Sequence, residues 1–117
     1  MNINRFVKAH AKPAHNGTIL AGPVLPQGMA APFDAAWGYL ENHTAMEAHR
    51  HPTAEIYVVI SGRGRVLVGQ EWQPVGPGDV IEIPPDALHT MACDEDGPFL
   101  WAALWWPLRT PTSVKIV

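Results

Sequence analysis

The sequence holds one cysteine, Cys93, in 117 residues. A single thiol closes no internal disulfide and builds no all-cysteine zinc site, and it fits a reducing cytoplasm better than a secreted, disulfide-stapled fold. Charge is scarce too: 16% of residues are Asp, Glu, Lys or Arg, eight basic against eleven acidic, for a formal net charge of −3. A nucleic-acid binder carries a basic face, so that class of partner is not expected. Long apolar runs are also missing. The most apolar stretch, Phe99 to Trp106, is too short to cross a bilayer as a helix, and the N-terminus lacks the apolar core of a signal peptide. Nor is there room for long helices. Twelve prolines and ten glycines are spread along the chain, and each proline removes a helix donor and crowds the preceding turn.

What is present is ample apolar content, 47% of residues, in a length that allows one domain. Folding such a chain hides roughly two-thirds of its unfolded surface, enough for one core. The apolar runs are short and mostly β-branched: Ile56 to Ile60, Val66 to Val68, Val80 to Ile83 and Leu100 to Trp106. Turn residues separate them at Ser61-Gly62, Gly76-Pro77-Gly78, Pro84-Pro85-Asp86 and Asp96-Gly97-Pro98. This rhythm predicts an all-β sandwich or barrel. Residues 1–36 read as an irregular Pro/Gly-rich arm with an edge strand near Thr18 to Leu20. The barrel proper is placed at 37–108 and a C-terminal tail at 109–117. Its first strand is Trp37 to Asn42, with Trp37, Tyr39 and Glu41 on one face and Gly38, Leu40 and Asn42 on the other.

The chemistry is concentrated in the string HRHPTAE, residues 49–55. Side chains two apart on an extended chain share a face, so His49 and His51 aim their imidazoles at one point. Pro52 ends that segment and biases His51 toward the extended region. The chain then turns into a new apolar strand opening at Glu55, and an antiparallel return brings its carboxylate beside the rings. Two imidazoles and a carboxylate suit a divalent metal. Downstream, Gly78-Asp79 opens a strand that ends at Pro84-Pro85, and His89 follows a short turn, completing a three-His, one-carboxylate set.

These residues resemble the motifs of the cupins. His49, His51, Glu55 and Gly62 match the first motif, HxH, three residues, Glu, six residues, Gly. Gly78, Pro84, Asp86, His89 and Cys93 follow the second, and fifteen residues separate Gly62 from Gly78, the compact spacing of small single-domain cupins. Three positions depart from the pattern. His43 stands where the family often has a leading Gly, Asp86 replaces the Gly of the second motif, and Cys93 replaces its closing Asn. Asp tolerates the left-handed conformations that a turn glycine supplies. The resemblance implies a conical jelly-roll β-barrel, a divalent metal (Mn, Fe, Ni, Co or Zn) on His49, His51, Glu55 and His89, and a homodimer. Apolar Phe6, Val7, Trp106 and Leu108 are the surplus available to such an interface.

The remaining candidates read as follows. Tyr57 shares a face with Glu55 and points into the same cavity, as a ligand contact or as core filling; Glu55 and Tyr57 are the candidate catalytic residues. Glu82 sits in an apolar strand, exposed at an edge or turned to the pocket. Trp101, Trp105 and Trp106 fill the core or a subunit interface. His10, His15 and His43 are expected to face solvent, with a bend at Thr44 to Glu47 taking His43 out of register. Cys93 reads as a small buried hydrophobe, and Arg63 and Arg65 as a solvated turn. The expected function is that of a metal-dependent enzyme acting on a small oxygen-rich metabolite, of dioxygenase, decarboxylase or isomerase type. The alternative is a non-catalytic module that binds or senses a small molecule such as a sugar.

Overall fold

The computed structural model describes residues 1–107, so the expected tail at 109–117 and Leu108 lie outside the described residues. Among the described residues, nine strands follow one 3-10 turn, Lys8–His10: β1 (Lys12–Ala14), β2 (Ile19–Pro23), β3 (Asp34–Leu40), β4 (Ala54–Ser61), β5 (Gly64–Val68), β6 (Glu71–Val75), β7 (Val80–Ile83), β8 (His89–Ala92) and β9 (Phe99–Trp106). They form a six-stranded sheet in the order β1-β2-β3-β9-β4-β7 and a three-stranded sheet in the order β6-β5-β8. Every pairing is antiparallel. The architecture is the expected all-β jelly roll, built as two facing sheets.

More of the N-terminal arm is regular than its proline and glycine content predicts. The expected edge strand is β2, and β1 pairs with it to extend the large sheet. Pro13 is tolerated because β1 is an edge strand, and Pro23 because it ends β2. Strand β3 begins three residues earlier than expected and stops two earlier, at Leu40. Asn42 and His43, both in left-handed backbone with φ of 58°, turn the chain there. The bend expected at Thr44 to Glu47 is thus one turn upstream of its predicted place.

Period-two alternation decides what faces inward. On β4, Glu55, Tyr57 and Val59 are buried while Ile56 and Val58 are only partly covered. On β9, Phe99, Trp101 and Ala103 join the core, which also draws Leu40 from β3, Ile83 from β7, and Val66 and Met91 from the small sheet. Gly38 lies opposite Trp101 in the β3–β9 register. A Cβ there would overlap the indole ring carbons and sit 2.7 Å from Nε1. The absent side chain is what lets Trp101 lie flat against β3, 1% exposed.

The opposite face of β3 is covered by the N-terminal segment. Phe6 stacks on Tyr39 with ring centroids 5.4 Å apart and meets Trp37 edge-on at 6.3 Å. Lys8 Nζ donates to Glu41 Oε1, and the Tyr39 hydroxyl donates to Glu41 Oε2, both at 2.8 Å. Phe6 is therefore spent within its own chain and leaves the set of residues offered to a partner.

Gly38→Ala is expected to destabilise the fold by about 1–3 kcal/mol through overpacking against Trp101. Thermal denaturation followed by near-ultraviolet circular dichroism would report a Tm lower by roughly 5–10 °C. An unchanged Tm would show that the indole can yield without cost.

Candidate metal centre

Residues 44–49 run beside β8 and extend the small sheet without forming a strand of their own. The Cys93 N–H donates to the Thr44 carbonyl at 2.8 Å, and the Met46 N–H to the Met91 carbonyl at 3.0 Å. At the end of this run His49 and His89 exchange two backbone bonds, N–H to carbonyl at 3.1 and 2.9 Å. Directly opposed residues of an antiparallel pair project to the same side. Two imidazoles forty residues apart are thereby set next to each other, ring centroids 4.3 Å apart.

His51 follows on the same extended segment, and its carbonyl accepts the Asp86 N–H at 2.7 Å. Asp86 has φ of 65°, so this aspartate adopts the left-handed turn that a glycine would otherwise supply. The turn before β8 is tied to the segment after His49, and the His51 ring centroid comes within 4.8 Å of that of His89. Glu55, second in β4, is 5% exposed and faces inward.

Each ring is aimed by its Nδ1. His49 Nδ1 lies 2.9 Å from the Glu47 carbonyl, and His89 Nδ1 lies 2.9 Å from the Ala87 carbonyl. A carbonyl only accepts, so both Nδ1 atoms carry the proton and both Nε2 lone pairs are bare. His51 Nδ1 is held between the Thr53 carbonyl at 3.1 Å and the Thr53 hydroxyl at 2.8 Å. One ligand atom from each of His49, His51 and His89 lies within 4.8 Å of the other two. Donors on opposite sides of an ion bonded at about 2.1 Å are about 4.2 Å apart, so this spread closes with small side-chain movements.

Glu55 stands beside two of the three rings. Its Oε1 accepts a hydrogen bond from His51 Nε2 at 2.9 Å and lies 3.3 Å from His89 Nε2. The second contact is not a hydrogen bond: a bare nitrogen lone pair faces a carboxylate oxygen, and His89 Nε2 is buried without a partner. His89 is 0% exposed. Leaving such a group unpaired costs about 1–3 kcal/mol, which a cation would offset. Burial first, then the neighbouring imidazoles, lowers the pKa of His49, against the Glu47 carbonyl that raises it. That favours the neutral ring a metal needs. The residues fit a divalent metal.

Beside these rings lies a cavity of about 240 Å³, the share of roughly eight waters. Tyr57 borders it, 2% exposed, its ring 5.9 Å from that of His89. Burial, reinforced by Glu55, raises its phenol well above the ordinary value, so the hydroxyl stays protonated at neutral pH. The apolar wall includes Ile19, Ala36, Ala103, Trp101 and Trp105.

Other candidates fall elsewhere. Glu82 is exposed on β7, an edge strand, and does not border the cavity. Cys93 is buried in the core with Sγ 3.2 Å from the Glu95 carbonyl. Trp106 is 42% exposed. Arg65 pairs with Asp94 and lies over the Trp72 ring at 4.6 Å, so it is more than a solvated turn residue. His10 and His43 are exposed. His15 is exposed, as expected, yet it also borders the cavity, its ring parallel to that of His49 at 4.1 Å. The Asn16-Gly17 pair signals a hairpin with His15 at its head, but no local feature says which surface that hairpin lies against.

Comparison with known proteins agrees with this geometry. Two solved structures are similar over nearly the whole chain. A cupin 2 conserved barrel domain protein from Salinispora arenicola is 25% identical with a TM-score of 0.80, and plu4264 from Photorhabdus luminescens is 28% identical with a TM-score of 0.77. Each alignment covers 99% of this chain and 94% of the other. Among curated proteins, a glucose-6-phosphate isomerase from Thermococcus onnurineus is 32% identical over 72 residues, 57% of this chain. This chain spans about a third of that relative's length, 36%. Residues 37–107 match the family model described as Cupin domain, and the chain belongs to the cupin family.

Proposed function

We propose that this chain is a divalent-metal-binding cupin enzyme acting on a small, oxygen-rich metabolite, with His49, His51, Glu55 and His89 as the metal ligands. One observation carries the reading: three imidazoles converge with their Nδ1 atoms held from behind, and the most buried Nε2 has no partner. Orientation by backbone acceptors is what metal-binding histidines require of their surroundings. A bound Mn, Fe, Ni, Co or Zn ion would supply Lewis acidity, or oxygen activation where the metal is redox-active. To join the ligand set, His51 gives up the Nε2 hydrogen bond that it makes with Glu55. Tyr57 keeps its phenolic proton and donates it in a hydrogen bond to substrate oxygen, orienting the bound molecule. The reaction type is dioxygenation, decarboxylation or isomerisation.

The second reading is a non-catalytic module that binds or senses a small molecule on the metal. It is favoured by the count of carboxylates: Glu55 is the only one among the described residues bordering the cavity, and as a ligand it is not free to act as a base. The relatives named glucose-6-phosphate isomerase suggest a phosphorylated sugar. Against carrying that substrate over stands the described cavity wall, which includes no Lys or Arg to neutralise a phosphate.

We place the protein in the cytoplasm, on the strength of its single free thiol, and read it as a homodimer. The outer face of the large sheet supports the dimer. Val58 lies across from Val80, Ile56 from Leu104 and Ala54 from Trp106. Val80 is 62% exposed and Trp106 42%. Exposed apolar side chains grouped on one face, with Glu82 beside Ile56 at the edge, fit an interaction site.

Plasma mass spectrometry is expected to find one metal per wild-type chain and none in His49→Ala or His51→Ala; full retention in both would defeat the ligand assignment. At metal a hundredfold above Kd, wild-type stability is expected to rise by about 2.7 kcal/mol, seen as a higher Tm that His49→Ala lacks. An Fe(II)-loaded protein that consumes oxygen with a candidate substrate favours the enzyme, whereas a ligand-induced Tm shift without turnover favours the module. Light scattering is expected to give a dimer for the wild type and a monomer for Val80→Lys. A wild-type monomer would remove the oligomer from the proposal.

A further inference from the structure

The β1–β2 hairpin carries a feature that the metal set does not account for. Three consecutive residues at its tip, His15, Asn16 and Gly17, hold φ of 50°, 59° and 78°. Histidine and asparagine take left-handed backbone more readily than most residues, and a tight hairpin calls for it. Contacts with the segment before His49 hold this tip in place. The Asn16 side-chain amide donates to both carboxylate oxygens of Glu47 at 3.0 and 2.9 Å. Thr18 Oγ1 accepts the Glu47 backbone N–H at 2.8 Å and donates to the His15 carbonyl at 2.7 Å. The carbonyl of the same Glu47 accepts the Nδ1 hydrogen of His49. One residue therefore anchors the hairpin tip and orients a metal ligand together.

The anchoring delivers the His15 ring to the cavity, parallel to His49 at 4.1 Å with 24° between planes. Among the described residues, no hydrogen bond engages its ring nitrogens. Its backbone carbonyl, by contrast, serves both Thr18 groups. A polar ring, exposed to solvent on one side, is thus held beside the three histidines, and its nitrogens have no protein hydrogen-bond partner among the described residues. The same cavity is lined by Ala36, Ala103, Trp101 and Trp105, with Trp105 paired to Glu55 in the β4–β9 register.

We propose that His15 is a ligand-recognition residue of the metal pocket, donating a hydrogen bond to an oxygen of the bound molecule. The ligand it selects is a small, unphosphorylated oxygen chelator with a short apolar body. The chelating end lies on the metal side, next to His49, and the body lies on the Trp101–Trp105 wall. A phosphoryl group is disfavoured, because apart from the metal the described wall offers it no Lys or Arg. This inference rests on the metal-binding reading above and names the substrate class of that site.

The test uses the full chain loaded with Co(II), with 2-oxobutyrate and 2-phosphoglycolate as probes. Binding is followed by calorimetry and by the visible Co(II) spectrum, with metal content and Tm measured in parallel. The key variant is His15→Asn, since asparagine tolerates the left-handed turn while removing the ring. Metal content and Tm are expected to stay at wild-type values, because no metal-histidine Nδ1 bond involves His15. The wild type is expected to bind 2-oxobutyrate more tightly than 2-phosphoglycolate, and His15→Asn to weaken 2-oxobutyrate about tenfold, as for loss of a hydrogen bond to a charged group. Three results would overturn the inference while leaving the metal site standing. These are 2-oxobutyrate affinity within twofold of wild type in His15→Asn, equal or tighter binding of 2-phosphoglycolate, or a metal-loaded wild type that binds neither probe. A wild type that takes up no cobalt would instead defeat the reading on which the inference depends.

Discussion

An imidazole nitrogen at zero exposure, without a hydrogen-bond partner, is an expensive thing to bury, and His89 Nε2 is one. Around it the structure invests in holding the other ends of the rings. The carbonyls of Glu47, Thr53 and Ala87 lie at the Nδ1 atoms of His49, His51 and His89. Each of those carbonyls comes from a residue two positions away in the chain, so the local backbone aims each side chain. The long-range contribution is the pair of bonds that His49 and His89 exchange across the sheet edge. Separating the two chain segments there would scatter the site.

The rest of the fold can be understood as support for that arrangement. Period-two alternation on β4 sends Glu55 and Tyr57 to the same interior as the rings, while β9 supplies Trp101 and Trp105 from the neighbouring strand. Gly38 makes room for Trp101 by having no side chain. Gly62, in left-handed backbone with φ of 79°, would overlap the Pro98 carbonyl if it carried a Cβ. These glycines are placed where another element passes too close for any side chain, which ties close packing of the sheets to the shape of the cavity.

The cavity brings polar and apolar groups together. Imidazole, carboxylate and phenol groups share its lining with alanine and tryptophan, and β9 sets Trp105 beside Glu55 and Ala103 beside Tyr57. The N-terminal hairpin is joined to the segment leading into His49 through Glu47.

Much of the site was legible in the residues alone, because its geometry is local in origin. Two-residue spacing puts His49 and His51 on one face, Pro52 ends the segment, and the alternation Glu55, Tyr57, Val59 follows from strand pleating. Turn residues likewise announced where strands stop, and Asp86 took the left-handed conformation that its place in the motif calls for. Local rules say which residues share a face, but not what that face will meet. Only tertiary structure decided that Phe6 covers Trp37 and Tyr39 within its own chain, that Glu82 lies on an exposed edge, and that His15 reaches the cavity. Those outcomes depend on contacts between segments distant in the chain, Asn16 with Glu47 above all. Such contacts leave no periodic trace in either partner's sequence.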